Sequence, residues 1–347
     1  MEGHRNSAFL PRLEAMRGYA AVSVLAFHAC ALSWDTIATG MAPVVVFFVL
    51  SGFLLARSLD RDSDPFAFVR HRLFRLLPAA VTTVLLLTLA YQSVGFYMGL
   101  MPPSFDPLNI VLNALLIRSD INGVMWSLTV ECVAIPVILM SHALLRRHGT
   151  IPVWTLVAIL VALSFWGPYV HVLDGATNLA PLYAFVVGLL LQSGGALPGD
   201  SSQSMLQPSR ATVVGSAAFA VMVIVAVRKQ TAVTIAFETL CASALVYLAA
   251  FGSRKLAVLG PFDFGIVRFY GRISYSFYLL HMIGLAIAAR LLPFDQQPVV
   301  RAAILFVAAL LITTPAAWLM WRFVEMPFID LGRRRLVAKA ADVVGRL

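Results

Sequence analysis

Charge is what this 347-residue chain has least of: charged residues are 12% of it against 60% hydrophobic, and mean hydropathy is +0.85. So few charges cannot clothe a soluble globular surface, which excludes that class. Cysteine is nearly absent too. Cys30, Cys132 and Cys241 all fall in apolar stretches without metal-ligand spacing, so the sequence indicates neither a disulfide framework nor a metal site. Cys30 stands two residues from His28 and faces elsewhere on a helix, which argues against a Cys-His nucleophile. The chain also lacks the alternating apolar-polar runs of a membrane β-barrel, tandem repeats, an appended soluble domain and a long linker. Its most loop-like stretch is 193–204.

What is present is a series of apolar stretches of about 20 residues, the length that spans a 30 Å hydrocarbon core as helix. They predict an all-α polytopic membrane protein of about ten transmembrane helices, near 15–34, 41–58, 77–99, 124–145, 151–167, 178–193, 211–228, 232–251, 272–292 and 299–321. Leu108 to Ile117 is too short to span and reads as an interfacial or re-entrant helix. With the N-terminus in the cytoplasm, all but five of the 26 lysines and arginines fall inside. The exceptions are Arg118, Arg228, Lys229, Arg290 and Arg301. Both termini are therefore expected in the cytoplasm. The net charge of +9 is then explained by topology and anionic lipid headgroups, with no call for a nucleic-acid partner. The first stretch reads as a retained helix and not as a signal peptide, because it carries an intramembrane histidine. Residues 1–329 form one membrane domain, and 330–347 a basic cytoplasmic tail that suits an amphipathic surface helix.

Against this background the few polar residues inside the spans stand out. An ionisable group there is costly and marks function by default. His28 lies in the first span, eleven positions after Arg17, so the two share a helix face about 16 Å apart, with the imidazole expected near mid-membrane. Ser51-Gly52 in the second span, Glu131 in the fourth and His281 in the ninth fall in the same layer. Ser127 stands one turn above Glu131, while Ser274, Tyr278 and His281 make a polar stripe at i, i+4 and i+7. Other readings stand beside the functional ones. His281 or Ser51 alone also suits a helix–helix hydrogen bond, Ser51-Gly52 a close approach of a neighbouring backbone, and Trp126 an interface anchor. The segment Phe68-Val-Arg70-His71-Arg72-Leu-Phe-Arg75 reads as an inner loop, with Pro78 opening the third span. Arg72 and Arg75 share one face there and suit phosphate binding as well as topology.

These motifs resemble those of the integral membrane acyltransferases of family 3, in order along nearly the whole chain. They are Arg17 with His28; Phe47-Phe48-x-x-Ser51-Gly52; Arg72-x-x-Arg75 before Pro78; Trp126-Ser127-Leu128-x-x-Glu131; Ile273-Ser274-Tyr275-Ser276 with Tyr278 and His281; and Glu325-x-Pro327. Two positions depart from the pattern: Glu14 stands where the family usually has Asp, and Cys132 where a second Glu often follows Glu131. The resemblance implies transfer of an acyl group, mostly acetyl, from cytoplasmic acyl-CoA to a hydroxyl of a carbohydrate or glycan, in a bacterial inner membrane. Acyl-CoA enters as co-substrate, and no bound cofactor is expected. On this reading Arg17, Arg72 and Arg75 hold CoA phosphates, and His28 acts as general base or acyl carrier. Glu131 orients the imidazole, and Ser51 or Gly52 helps with the oxyanion. A transporter or flippase for a sugar or lipid-linked substrate is the alternative, since many helices around central ionisable groups also describe permeases. Acceptor identity and oligomeric state are not legible.

Overall fold

A computed structural model describes residues 10–34, 41–99, 101–166, 169–172, 175–194, 208–252, 256–292 and 296–333. The tail beyond residue 333, and 195–204 of the predicted loop, lie outside the described residues. The helices in chain order are α1 Pro11–Trp34, α2 Met41–Leu59, α3 Pro65–Val94, α4 Pro107–Ala114, α5 Trp126–His148 and α6 Thr150–Trp166. They continue as α7 Tyr183–Gly194, α8 Pro208–Ala226, α9 Ala232–Phe251, α10 Gly265–Leu291 and α11 Pro298–Met320. The all-α polytopic expectation holds. Among the described residues eight helices are long and apolar enough to cross a membrane, while α6 and the segment carrying α7 are shorter. An antiparallel pair, β1 Tyr169–Val172 and β2 Gly175–Asn178, joins these two. Counting both short helices as spans or neither leaves an even number, so residue 10 and residue 333, the ends of the described chain, fall on the same side either way.

Where α3 begins corrects the predicted third span. The helix starts at Pro65, so Arg70 to Arg75 are helical and Pro78 lies inside the helix rather than opening it. The start signal is Asp64, whose carboxylate accepts from the Phe66 N–H, with Pro65 in the first turn where a missing N–H costs nothing. Gly95, at φ 66°, ends α3 in the left-handed conformation that suits glycine. The expected short helix is α4, capped by Asp106. Helix α11 runs on through a π turn, Trp321–Glu325, to Arg333.

Two apolar cores divide the bundle. One gathers around α2, α5, α7 and α9, the other around α1, α3, α10 and α11. Among helices in lipid, packing and close backbone approach replace the hydrophobic drive. Glycines supply that approach at two crossings. A Cβ on Gly18 of α1 would overlap the Val267 carbonyl ahead of Gly271, and one on Gly52 of α2 would overlap the Phe185 carbonyl of α7. The outward faces are apolar, with Leu85, Leu89, Phe219 and Leu311 exposed as a lipid-facing surface requires.

Candidate active site

Between the two cores lies a cavity of about 610 Å³, walled by α1, α2, α3, α5 and α10. It follows α2 from Ser58 to Val44, a depth of about 21 Å at 1.5 Å per residue. Of the expected site residues, Arg17, Arg72, Arg75, Ser51, Ser127, Glu131, Ser274 and Tyr278 line it.

Its polar centre is an ion pair. Glu131 of α5 accepts from the Arg72 guanidinium of α3, and the Ser51 hydroxyl of α2 donates to the same carboxylate oxygen at 3.2 Å. Arg75 and Arg17 act on this carboxylate electrostatically. The pair is withdrawn from water, with side-chain exposures of 8% and 14%, so it persists only because each charge answers the other. Arg72 Nε remains without a partner, as does the hydroxyl of the fully buried Ser274 on the opposite wall. Tyr275 ties that wall to α3 by donating to the Leu76 carbonyl at 2.5 Å. Behind it, buried Glu325 accepts from Ser276 at 3.0 Å, with Arg75 and Arg17 again the nearby charges.

The inner end of the cavity is aromatic. Tyr278 donates to the Val124 carbonyl at 3.0 Å and accepts from the Ser127 hydroxyl at 2.9 Å, while Phe47 meets its ring edge-on at 6.1 Å. Phe48 stacks on Phe185 and takes the edge of Trp126, so Trp126 packs inward on an aromatic cluster instead of serving as an interface anchor.

Both histidines lie outside the cavity lining. His281, fully buried, has its Nδ1 2.6 Å from the Tyr278 carbonyl; a carbonyl can only accept, so Nδ1 carries the proton and Nε2 is left without a partner. The half-buried His28 ring stacks on it, centroids 5.4 Å apart at 28°. The four residues expected in one layer are therefore resolved into two pairs, Ser51 with Glu131 and His28 with His281. Among the described residues no hydrogen bond joins Glu131 to His28. The carboxylate expected to orient that imidazole is committed to Arg72 and Ser51, whose donors reach it first. Along α1, His28 lies about 8 Å past the helix midpoint and about 9 Å short of its Trp34 end. Gly52, buried against Phe185 with its amide inside a helix, is a packing residue and not an oxyanion donor.

Arg61, His71 and Arg333 also line the cavity, at its opposite end. The basic pattern had assigned Arg61 and Arg333 to topology, and no local spacing connects three residues from three separate elements. Among the described residues no three His, Cys, Asp or Glu side chains stand close enough to hold a metal.

A cavity with a buried charged centre, laid beside a histidine pair among helices long and apolar enough to cross a membrane, is the arrangement of a polytopic membrane protein. The family described as "Acyltransferase domain" matches residues 10–322, and the chain belongs to this membrane acyltransferase family. It is similar to acyltransferase MdmB of Streptomyces mycarofaciens, 26% identical over 96% of this chain and 95% of that protein. It is also similar to nodulation protein 10 of Rhizobium leguminosarum bv. viciae, 28% identical over 47% of this chain and 51% of that protein, so the match spans about half of the relative. No solved structure matches.

Proposed function

We propose that this protein is a bacterial inner-membrane O-acyltransferase that moves an acyl group, acetyl by preference, from cytoplasmic acyl-CoA to a hydroxyl of a carbohydrate or glycan. The observation that carries the reading is the cavity. It is arginine-rich at the end the positive-inside pattern puts in the cytoplasm, and it ends at an aromatic wall with the His28–His281 pair behind it. A thioester enters by the basic end, and its carbonyl comes to rest against Tyr278. The acceptor hydroxyl approaches from the His28 side. His28 takes the hydroxyl proton as the oxygen attacks the thioester carbon; the C–S bond breaks, and the proton passes to the departing thiolate. An acyl-histidine is the variant of this route in which the His28 nitrogen attacks first. In either case Tyr278 must swing aside at the moment of transfer. Arg72, Arg75 and Arg17 set the positive field in which thiolate and oxyanion charge develops.

The test is release of free CoA by purified protein with a candidate acceptor, beside the His28→Ala variant. His28→Ala is expected to abolish acyl transfer at near-normal abundance. Retained activity would remove His28 from the chemistry, and a wild-type protein that transfers no acyl group from any CoA thioester would remove the function itself.

A further inference from the structure

We infer that Arg61, His71 and Arg333 form a phosphate clamp at the cavity mouth that holds the nucleotide half of the donor, a task the motif resemblance had given to Arg17, Arg72 and Arg75. The inference rests on the acyl-CoA reading above. Three elements contribute here: the turn after α2 with Arg61, the second turn of α3 with His71, and the far end of the long helix from Pro298 with Arg333. All three side chains line the same cavity as Glu131.

The division of labour follows from what each cation is doing. Arg72 is 6% exposed and bound to Glu131, so a phosphate there would compete with a buried carboxylate. Arg333 is 70% exposed, and its neighbour Asp330 is 4.0 Å away, a loose exposed pair that little opposes a phosphate. The Nε2 of His71 is buried in the wall and has no partner. The mouth also has the right separation. Ser58 and Ser51, both in the lining, are seven residues apart on α2, so about 10 Å of cavity wall lies between Ser58 and the Ser51–Glu131 bond. An extended pantetheine arm bridges such a gap and brings the thioester to the aromatic wall. A planar guanidinium pair with an imidazole suits the clustered phosphates of a 3′-phosphoadenosine diphosphate, which present several acceptor oxygens at once.

The experiment compares donors with and without that half. Wild-type protein, Arg333→Ala and Arg61→Ala/Arg333→Ala are assayed with acetyl-CoA and with acetyl-pantetheine. The double variant is expected to lose at least about tenfold in kcat/KM for acetyl-CoA, carried by KM, the size of one charge-assisted contact. Its rate with acetyl-pantetheine should stay within about twofold of wild type, which also reports that the variant is folded. The single Arg333→Ala change, at an exposed helix end, should show a smaller loss of the same kind. Equal losses with both donors, or none with acetyl-CoA, overturn the clamp, as does a wild-type protein that uses both donors equally well. Failure of the wild type with both donors overturns the acyl-CoA reading and the clamp with it, and is recognised by that pattern alone.

Discussion

Replacing Glu131 with glutamine removes one charge from the most enclosed ion pair of the site and nothing else of its shape. Glutamine keeps an oxygen to accept from Ser51, whose hydroxyl stands 3.2 Å from the carboxylate, but leaves Arg72 unanswered in a wall where it is 6% exposed. A guanidinium cannot escape by losing its proton, so the charge stays buried. Removing one partner of such a pair costs about 3–5 kcal/mol, and the retained Ser51 bond argues for the lower end, about 3. In a chain of this size each kcal/mol moves the unfolding midpoint by about 2 °C, which predicts a fall of about 6 °C in detergent-solubilised protein. A second variant carries the argument: Arg72→Met with Glu131→Leu removes both charges and refills the space. That double variant should regain most of the lost stability, because two buried charges replaced together by apolar groups are close to neutral. Acyl transfer should be lost in both variants. A Glu131→Gln protein melting within about 1 °C of wild type would refute the buried-pair reasoning. A double variant that is stable and fully active would show the pair to be scaffold alone.

Two further changes test the walls of the site. Gly52→Ala places a methyl into the Phe185 carbonyl, backbone that cannot rotate away, so α2 and α7 must part; a loss of about 1–3 kcal/mol is expected. Activity per folded molecule should change little, whereas a kcat collapse at unchanged stability would restore Gly52 to the chemistry. Phe47→Ala opens the aromatic end beside Tyr278 and, on the acyl-CoA reading, should raise the butyryl-to-acetyl ratio of kcat/KM by about tenfold or more, since each methylene in a fitted pocket is worth about 1–3 kcal/mol. An unchanged ratio measured by CoA release would show that Phe47 does not set acyl length.

Helix existence was legible because hydropathy is local: each of the ten apolar stretches coincides with a helix. The start of α3 was not, because Arg70, His71, Arg72 and Arg75 lower hydropathy below that of a span while leaving helix propensity intact. The Asp64-Pro65 start signal carried the answer. The shortness of α7 was hidden by continuous apolar composition across 178–193, and the β1–β2 pair falls at 169–178, in the connection between the predicted fifth and sixth spans. Which polar groups would share a depth was readable from position along each helix. Which would touch was not, since partners such as Arg72 with Glu131 or His28 with His281 depend on helix rotation and neighbour choice.

That distinction bears on how the site divides its work. Arginine and carboxylate meet on the cavity side of Tyr278, and the two imidazoles meet on the other, with the Tyr278 carbonyl fixing the His281 tautomer and its phenol fixed by Ser127 and Val124. One residue therefore touches both halves. On the proposed reading, a donor that arrives at the basic mouth and an acceptor that arrives beside His28 need not share an entrance. The residue that separates them is also the one whose displacement joins them. Water reaching His28 would then gain the thioester only when Tyr278 moves, so the same ring that ends the donor cavity protects the thioester from hydrolysis between turnovers.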